Sequence, residues 1–389
     1  MRTEHRLYVA DAADMAAVDD GAVDLVVTSP PYPMIEMWDD LFAEQEPAVR
    51  DALDRGDGET AFERMHETLD AVWDEVVRVL APGGIACVNV GDATRSLDDG
   101  FRQYPNHARV LAALRERGLR ALPDILWRKP TNSLTKFMGS GMLPSNAYVT
   151  LEHEYVLVFR KGETRRFPPG DDARYESAFF WEERNRWFSD LWELGGTTQT
   201  LADREDAADS GAGTGAGGTG GAGDADDATE SEGATDVRDR SAAYPLELPL
   251  RLVRMYSAYG DTVLDPFWGT GTTTLAAMLA ARDSVGYELD PDFVAAFDDR
   301  RSGLAERSDR HLSARLERHR DFLADRDRDP NYEAVHYDVP VVTKQERRIR
   351  FYAVDGVDRI DDTDSGEGGT RETTAPARRY RVDYTPFEG

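Results

Sequence analysis

The tightest constraint on the fold lies between residues 263 and 288. Val263-Leu264-Asp265 is a short apolar run ending on a carboxylate, and Gly269-Thr270-Gly271 is a tight turn. Thr272–Ala281 has helix-forming character, and Ser284–Tyr287 is a second apolar run that stops at Glu288. Strand, turn, helix and strand make one βαβ unit. Its two parallel strands need a sheet covered by helices. The turn is not a Walker loop, because no lysine follows the glycines. Nor is it the dinucleotide fingerprint, because Thr274 stands where the third glycine belongs. Glycines here let a ligand approach the backbone. A carboxylate about twenty residues on, at Glu288, is placed to grip both hydroxyls of a ribose.

The same alternation fills the first 160 or so residues. Leu7–Ala10 and Val23–Thr28 read as buried parallel strands with a short helix between them. Phe62, Met65, Leu69, Val72, Trp73, Val76 and Leu80 recur at helical spacing over 61–80, and Pro82-Gly83-Gly84 ends that helix. Ile85–Val90 is a strand, 107–117 a helix, and Ile125–Trp127 and Tyr155–Phe159 are strands. The expected class is therefore α/β, with a mostly parallel sheet and helices on both faces. Residues 202–241 are Gly/Ala-rich and then acidic, and read as a disordered insert. Residues 246–256 have helical spacing, 303–328 read as a solvated charged helix, and the last 60 or so are weakly patterned. Strands at Tyr337–Val342 and Arg347–Val354 and a flexible 361–377 are the expectations there.

A second loop carries chemistry. Thr28-Ser29-Pro30-Pro31-Tyr32 follows the carboxyl end of a strand, where ligands of open α/β sheets bind. Two prolines stiffen the turn and free a carbonyl from the ladder, and a tyrosine offers a flat face to a planar base.

Composition narrows the setting. There are 74 acidic and 46 basic residues, for a net charge of −28. Lysine occurs only at Lys129, Lys136, Lys161 and Lys344; every other basic residue is arginine. An acidic, lysine-poor surface points to a protein kept soluble in concentrated salt, and so to a halophilic host. No apolar run is long enough to cross a membrane, and the first residues lack a signal pattern, so a cytoplasmic protein is expected. The one cysteine, Cys87, excludes a disulfide framework and a cysteine-rich zinc site, and no metal is expected.

The two loops together resemble the AdoMet-dependent amino methyltransferases of DNA. Ser29-Pro30-Pro31-Tyr32 matches the family's (Ser/Asp/Asn)-Pro-Pro-(Tyr/Phe) catalytic motif, and Asp265–Thr273 matches its cofactor loop Asp-Pro-Phe-x-Gly-(Ser/Thr)-Gly-Thr-Thr. Val77–Gly84, Glu152–Phe159 and Tyr244–Pro249 match as well, and the likeness covers about 5–162 and 241–300. The catalytic motif precedes the cofactor loop, an order similar to the circularly permuted β group. Most related RNA and protein methyltransferases carry the reverse order. The resemblance implies a Rossmann-like methyltransferase sheet, S-adenosyl-L-methionine as cofactor and double-stranded DNA as partner. It leaves room for a cognate restriction endonuclease, although no nuclease motif is visible in the sequence. It divides the chain into a catalytic half (1–162), a target-recognition segment (163–201), the insert (202–241), an AdoMet-binding half (242–300) and a C-terminal extension (301–389).

By the same resemblance Ser29, Pro30, Pro31 and Tyr32 form the catalytic segment. The Ser29 hydroxyl and Pro30 carbonyl accept hydrogens from the target amine, a matter of positioning and electrostatics. Tyr32 stacks on the flipped base, for about 1–3 kcal/mol. Phe267, Gly269, Thr270, Gly271 and Thr272 line the cofactor, Glu288 takes its ribose, Asp11 and Ala12 lie near its ends, Pro245 packs along its tail, and Asp265 is the loop carboxylate. Ser at the first motif position goes mostly with cytosine N4, and Asp or Asn mostly with adenine N6, so N4 is favoured. Cys87 does not follow a proline as the nucleophile of C5-cytosine enzymes does, which excludes that chemistry. Alternatives are an adenine-N6 enzyme, an RNA methyltransferase and a DNA-binding protein with an inactive site. CTAG is the expected recognition sequence.

Residues 128–187 are net basic in this acidic chain, with interleaved aromatics. Arg128, Lys129, Lys136, Lys161, Arg165, Arg166, Arg184 and Arg186 are the candidate DNA contacts. A packed aromatic satellite with solvated arginines is an equal reading. In molar salt the Debye length is about 3 Å, so repulsion between the acidic chain and DNA is largely screened.

Overall fold

The structure is a computed structural model, and it describes residues 1–98, 100–129, 144–145, 147–195, 244–360 and 375–389. Lys136, the insert 202–241 and most of 361–377 lie outside the described residues.

In chain order the elements are β1 (Arg2–Val9), β2 (Val23–Thr28), α1 (Asp39–Gln45), α2 (Ala48–Asp54), α3 (Gly58–Val79), β3 (Leu80–Val90), β4 (Ala93–Leu97), β5 (Gly100–Tyr104), α4 (Asn106–Glu116), β6 (Leu119–Ala121), β7 (Ile125–Arg128) and β8 (His153–Lys161). There follow α5 (Asp172–Glu176), α6 (Trp181–Trp187), β9 (Leu191–Glu193), α7 (Glu247–Tyr256), β10 (Thr262–Asp265), α8 (Thr272–Ala280), β11 (Asp283–Glu288), α9 (Pro291–Arg300), α10 (Leu304–Ala324), β12 (Tyr332–Glu333), β13 (Pro340–Val341), β14 (Tyr352–Arg359) and β15 (Arg378–Pro386).

One mixed sheet of 11 strands runs β14-β15-β1-β11-β10-β2-β3-β8-β7-β9, with β6 also on β8. Its centre, β1-β11-β10-β2-β3, is parallel throughout. The flanks turn antiparallel where β15 meets β1 and β8 meets β3. Alternate residues of the central strands face two cores. Val26, Leu264, Ala86 and Val88 pack with α3, and Leu25, Val27, Val263 and Cys87 pack with α7 and α8. This is the expected α/β class with a mostly parallel centre.

Local chemistry explains where the expected elements hold and where they shift. In α3, Phe62, Met65, Leu69, Val72, Trp73 and Val76 are all buried, and Asp57 caps the start by accepting from Thr60 N at 3.1 Å. The helix stops at Val79, within one residue of the expected end at 80, and Pro82-Gly83-Gly84 lies in the irregular start of β3, where the register against β2 shifts. No helix forms between β1 and β2. Asp11 and Asp14 instead accept from the backbone of Ala13 and Ala16, at 2.9 and 3.2 Å, and hold turns. The charged α10 is not fully solvated: Leu304, Leu312, Arg315, Leu316 and His319 are buried along one side. Of the expected strand 337–342 only β13 forms. The expected strand 347–354 begins as a 3-10 turn (Glu346–Arg348) before β14. The weakly patterned C-terminal residues thus supply two full strands of the sheet, with β15 held on β1 from Arg2↔Asp383 to Leu7↔Arg378. Among the described residues no helix is long and apolar enough to cross a membrane.

Candidate active site

Strands β2 and β10 are parallel neighbours, with Val26 opposite Leu264. Their carboxyl ends therefore emerge side by side, and the two motif loops meet there although they are far apart in the chain. Asp265 is the clamp between them. Oδ1 accepts from Thr28 Oγ1 at 2.6 Å and from Phe267 N at 3.2 Å. Oδ2 accepts from Thr273 Oγ1 at 2.7 Å and from the Tyr244 hydroxyl at 3.4 Å. The carboxyl is buried, and burial pushes its pKa up to about 6 against the pull of those donors. Both oxygens face inward, so Asp265 shapes the loop and offers no free edge to a ligand.

The loop after β10 is bound to the next strand. Gly269 N donates to Glu288 Oε2 at 2.7 Å, Asp290 N donates to Oε1 at 2.9 Å, and Trp268 N donates to Tyr287 O at 2.9 Å. Burial raises Glu288 to about 7, opposed by those backbone donors. Gly269 and Gly271 both have positive φ, +54° and +79°. A Cβ on Gly271 would sit 2.5 Å from Trp268 Cζ2 and 2.6 Å from Phe297 Cδ2. A Cβ on Gly269 would meet nothing nearer than Phe267 O at 3.9 Å, so the loop leaves open room over that residue. Arg300, which the sequence did not single out, locks the turn from outside through Thr270 O at 2.6 Å and Thr272 Oγ1 at 3.2 Å. Phe267 packs edge-on against Trp73 with centroids 5.7 Å apart. Asp11 and Ala12 follow β1 directly beside Glu288, where Ala10 N donates to Glu288 O at 3.0 Å. Pro245 is buried one residue from Tyr244.

Ser29 and Tyr32 sit in a polar cluster. The Ser29 and Tyr32 hydroxyls are 2.9 Å apart. The Tyr32 hydroxyl donates to Glu154 Oε2 at 3.0 Å, and Asn89 Nδ2 donates to that same carboxylate oxygen at 2.6 Å and to the Tyr32 hydroxyl at 2.8 Å. Asn89 Oδ1 is buried without a partner. Lys129 pairs with Glu154 and lies over the Trp127 ring. Burial, then the nearby Glu154 charge, holds the Tyr32 phenol well above its usual range. Gly91 makes room for this arrangement: a Cβ there would stand 3.0 Å from the Tyr32 ring. Asn89 belongs to no motif in the sequence, and Thr28 and Thr273 stood inside the two motif loops with no role assigned to them. Glu154 stood inside a recognised segment, but no role was assigned to it.

The basic residues proposed for DNA divide between the two edges of the sheet. Arg128 ends β7 opposite His153 on β8, and Lys129 follows it, its N–H donating to Glu152 O at 2.8 Å, at the end of the sheet that carries Ser29. Arg128 is bridged to Glu193 at 3.0 Å. Arg165 lies at the far edge, where it bridges Asp261 at 2.6 Å and Asp24 at 3.1 Å ahead of β10 and within the start of β2. The Lys161 amine donates to the carbonyls of Val77 at 2.7 Å and Leu80 at 2.6 Å, capping α3. Arg184 and Arg186 are exposed on α6, whose Glu183 docks onto α10 through Arg315. Arg166 is exposed next to Arg165. The structure does not gather these residues into one surface, because Lys161 and Arg165 serve folding contacts away from the site. Cys87 is buried in the sheet and burial raises its thiol pKa, the opposite of an activated nucleophile.

A central parallel sheet with a glycine loop, a half-buried carboxylate and a Pro-Pro loop at adjacent strand ends is the layout of an α/β enzyme whose site opens at the carboxyl ends of its strands. Comparison with known proteins then gives the family. A DNA methylase family model, that of the N6 and N4 methylases, matches residues 23–299. The chain is 45% identical over 356 residues to the type II methyltransferase M.MthZI of Methanothermobacter thermautotrophicus, covering 90% of this chain and 91% of that protein. It is 44% identical over 299 residues to the type II methyltransferase M.MjaI of Methanocaldococcus jannaschii, covering 74% and 88%. Among solved structures, the putative DNA modification methylase TTHA0409 of Thermus thermophilus, complexed with S-adenosyl-L-methionine, is 30% identical with a TM-score of 0.54, covering 77% of this chain and 95% of that one. The chain belongs to the N6/N4 family of DNA methylases.

Proposed function

We propose that this protein is a site-specific type II DNA methyltransferase that methylates the N4 amine of cytosine in duplex DNA, with S-adenosyl-L-methionine as cofactor. The observation that carries the reading is the meeting of Ser29-Pro30-Pro31-Tyr32 and the Asp265–Thr273 loop through the Thr28–Asp265 hydrogen bond. Motif order supports the permuted β group. The names of the methanogen relatives support a restriction–modification setting with a cognate endonuclease, and the acidic, lysine-poor composition supports work in concentrated salt.

The residues present fit the cofactor. Open room over Gly269 admits it against the backbone, and the Glu288 carboxylate, already oriented by two N–H groups, has lone pairs left for ribose hydroxyls. Gly269, Thr270, Gly271, Thr272 and Phe267 would hold it, with Asp11, Ala12 and Pro245 at its margins and Asp265 setting the loop. When bound it supplies an electrophilic methyl group on sulfonium sulfur. The exocyclic amine is a weak nucleophile, because its lone pair is conjugated with the ring. Ser29 Oγ and the Pro30 carbonyl accept its N–H hydrogens and favour the attacking, pyramidal nitrogen. Tyr32 swings from its contact with Ser29 to stack on the flipped base. Asn89 and Glu154 position that tyrosine and serine.

Ser29 favours cytosine over adenine. The test is incubation with S-adenosyl-L-methionine and unmodified duplex DNA containing CTAG in molar KCl, followed by digestion and mass spectrometry of nucleosides. N4-methylcytosine, lost in Ser29→Ala, is expected. N6-methyladenine overturns the choice of base. No modified base in DNA or RNA leaves a DNA-binding protein without catalysis.

A further inference from the structure

At the edge of the sheet away from Ser29 lies a cavity that methyl transfer does not use. Arg254, Arg282, Arg315, Tyr259, Tyr352 and Ser177 are among the residues that line it. The three arginines are 7%, 2% and 5% exposed. Two of them are committed. Arg315 grips Glu183 through Nε and Nη2 at 2.6 and 2.7 Å. Arg282 donates to Ser257 Oγ at 3.0 Å, to Ser257 O at 2.7 Å and to Ala280 O, and its guanidinium lies 4.5 Å from the Tyr259 ring centre.

Arg254 is different. It donates through Nη1 to His311 Nε2, an imidazole that burial and neighbouring arginines keep neutral. The two carboxylates whose charge reaches it are already engaged, Glu183 by Arg315 and Glu247 by Arg251 at 2.6 Å. Three buried cations thus face two buried carboxylates, Glu183, held by Arg315, and Asp261, held by Arg165 and acting on Arg282 through its charge, so positive charge is in excess around Arg254 and a further counter-charge stabilises it. Burial, followed by repulsion from Arg315, pulls the Arg254 guanidinium well below its usual range.

We infer that this cavity is an anion site, in which the Arg254 guanidinium binds a monovalent ion of halide size, chloride in the cell. The cavity is small, with about 10 Å³ open to the centre of a water-sized sphere, which suits one small ion and not a nucleotide. The bound ion joins α7, the end of α8, α10 and the 177–179 segment, so it stabilises the docking of α10 on the sheet. The inference is independent of the methyltransferase reading.

The test uses the full chain at constant potassium concentration, comparing unfolding temperature in potassium chloride and potassium gluconate, whose anion is too large for the cavity. A ligand that binds only the folded state raises the unfolding temperature, here by roughly 2–4 °C in chloride. Arg254→Met removes that difference. Crystals soaked in bromide show an anomalous peak within hydrogen-bonding distance of Arg254, a readout that stands even where Arg254→Met fails to fold. Equal unfolding temperatures in the two salts, a chloride effect that survives in Arg254→Met, or the absence of bromide at Arg254 overturns the inference.

Discussion

The Thr28 hydroxyl donates a 2.6 Å hydrogen bond to Asp265 Oδ1, joining residues 237 apart in sequence. That bond fixes the catalytic loop against the cofactor loop, so its loss should be felt by both. Thr28→Val leaves a buried carboxylate one donor short. The expected cost is about 1.5–3 kcal/mol, the usual range for hydrogen bonds to charged groups. Urea unfolding measures it. Affinity for S-adenosyl-L-methionine and turnover should fall together, where a change confined to Ser29 moves turnover alone. Asp265 titrates near 6 in the fold, above the ordinary value of 3.8. The folded state therefore holds that proton more tightly, and stability from this group is lost as pH rises from about 4 to about 6. Removing the Thr28 donor raises the folded value and extends that loss to higher pH.

Glu288 provides a second pH signature. Burial lifts its carboxyl from 4.5 to about 7. Its contribution to folding is therefore fully present below about 4.5 and is lost as pH rises through 7. Ligand binding runs the other way, because ribose hydroxyls donate to the ionised carboxylate. Affinity for S-adenosyl-L-methionine should weaken below pH 7, approaching about tenfold per pH unit. Glu288→Gln should bind about 10–100-fold more weakly and lose the pH dependence. Calorimetry between pH 5.5 and 8.5 decides, and a flat wild-type profile removes Glu288 from the ribose.

What the sequence made legible was local. The 262–288 unit and the Ser29–Tyr32 loop could be read because each is one strand end with a glycine or proline signature inside ten residues. Pairings between distant segments could not. Nothing in Arg378–Pro386 marks it as the partner of Arg2–Val9, because strand pairing is set by tertiary packing and not by any local pattern. The apolar side of α10 was hidden among its charges, since Leu304, Leu312 and Leu316 are too sparse to outweigh the arginines in composition. Arginine content does not locate a DNA surface for a related reason: a count of cations does not reveal that Arg165 already has Asp24 and Asp261.

That assignment leads to a simple contrast. Arg165→Ala removes the bridge between the starts of β2 and β10 on the edge away from the site. Unfolding temperature should drop, while affinity for duplex DNA at fixed salt stays within about twofold, below the loss expected when a phosphate contact is removed. Fluorescence anisotropy across a salt series checks this. A shallower salt slope would return Arg165 to the DNA surface.

The two loop glycines should fail in different ways. At Gly271 an added Cβ meets the Trp268 and Phe297 rings, and φ is +79°. Gly271→Ala should therefore destabilise the fold by about 1–3 kcal/mol or more, from overpacking added to backbone strain. At Gly269 the added atom enters open room, with φ +54°. Gly269→Ala should keep most of the stability, losing about 1 kcal/mol to strain, yet obstruct the cofactor. Paired thermal melts and calorimetry separate the two, and a Gly269→Ala protein that binds S-adenosyl-L-methionine normally moves the cofactor off this loop.

Glu154 tests the polar cluster around the target amine. Its carboxylate accepts from Tyr32 and Asn89 and pairs with Lys129, so it holds Tyr32 over Ser29 in the absence of a base. Glu154→Gln keeps the shape and removes the charge. Tyr32 and Asn89 are then held less firmly, and the amine meets a less ordered set of acceptors. Single-turnover methylation should slow by about 10–100-fold, in keeping with the sensitivity of rate to small misplacements. Affinity for S-adenosyl-L-methionine should hold within about twofold, since Glu154 lies on the Ser29 side of the site. Asp at this position keeps the charge on a shorter arm and should recover part of the rate. An unchanged rate in Glu154→Gln would mean that Ser29 and Pro30 orient the amine without help from β8.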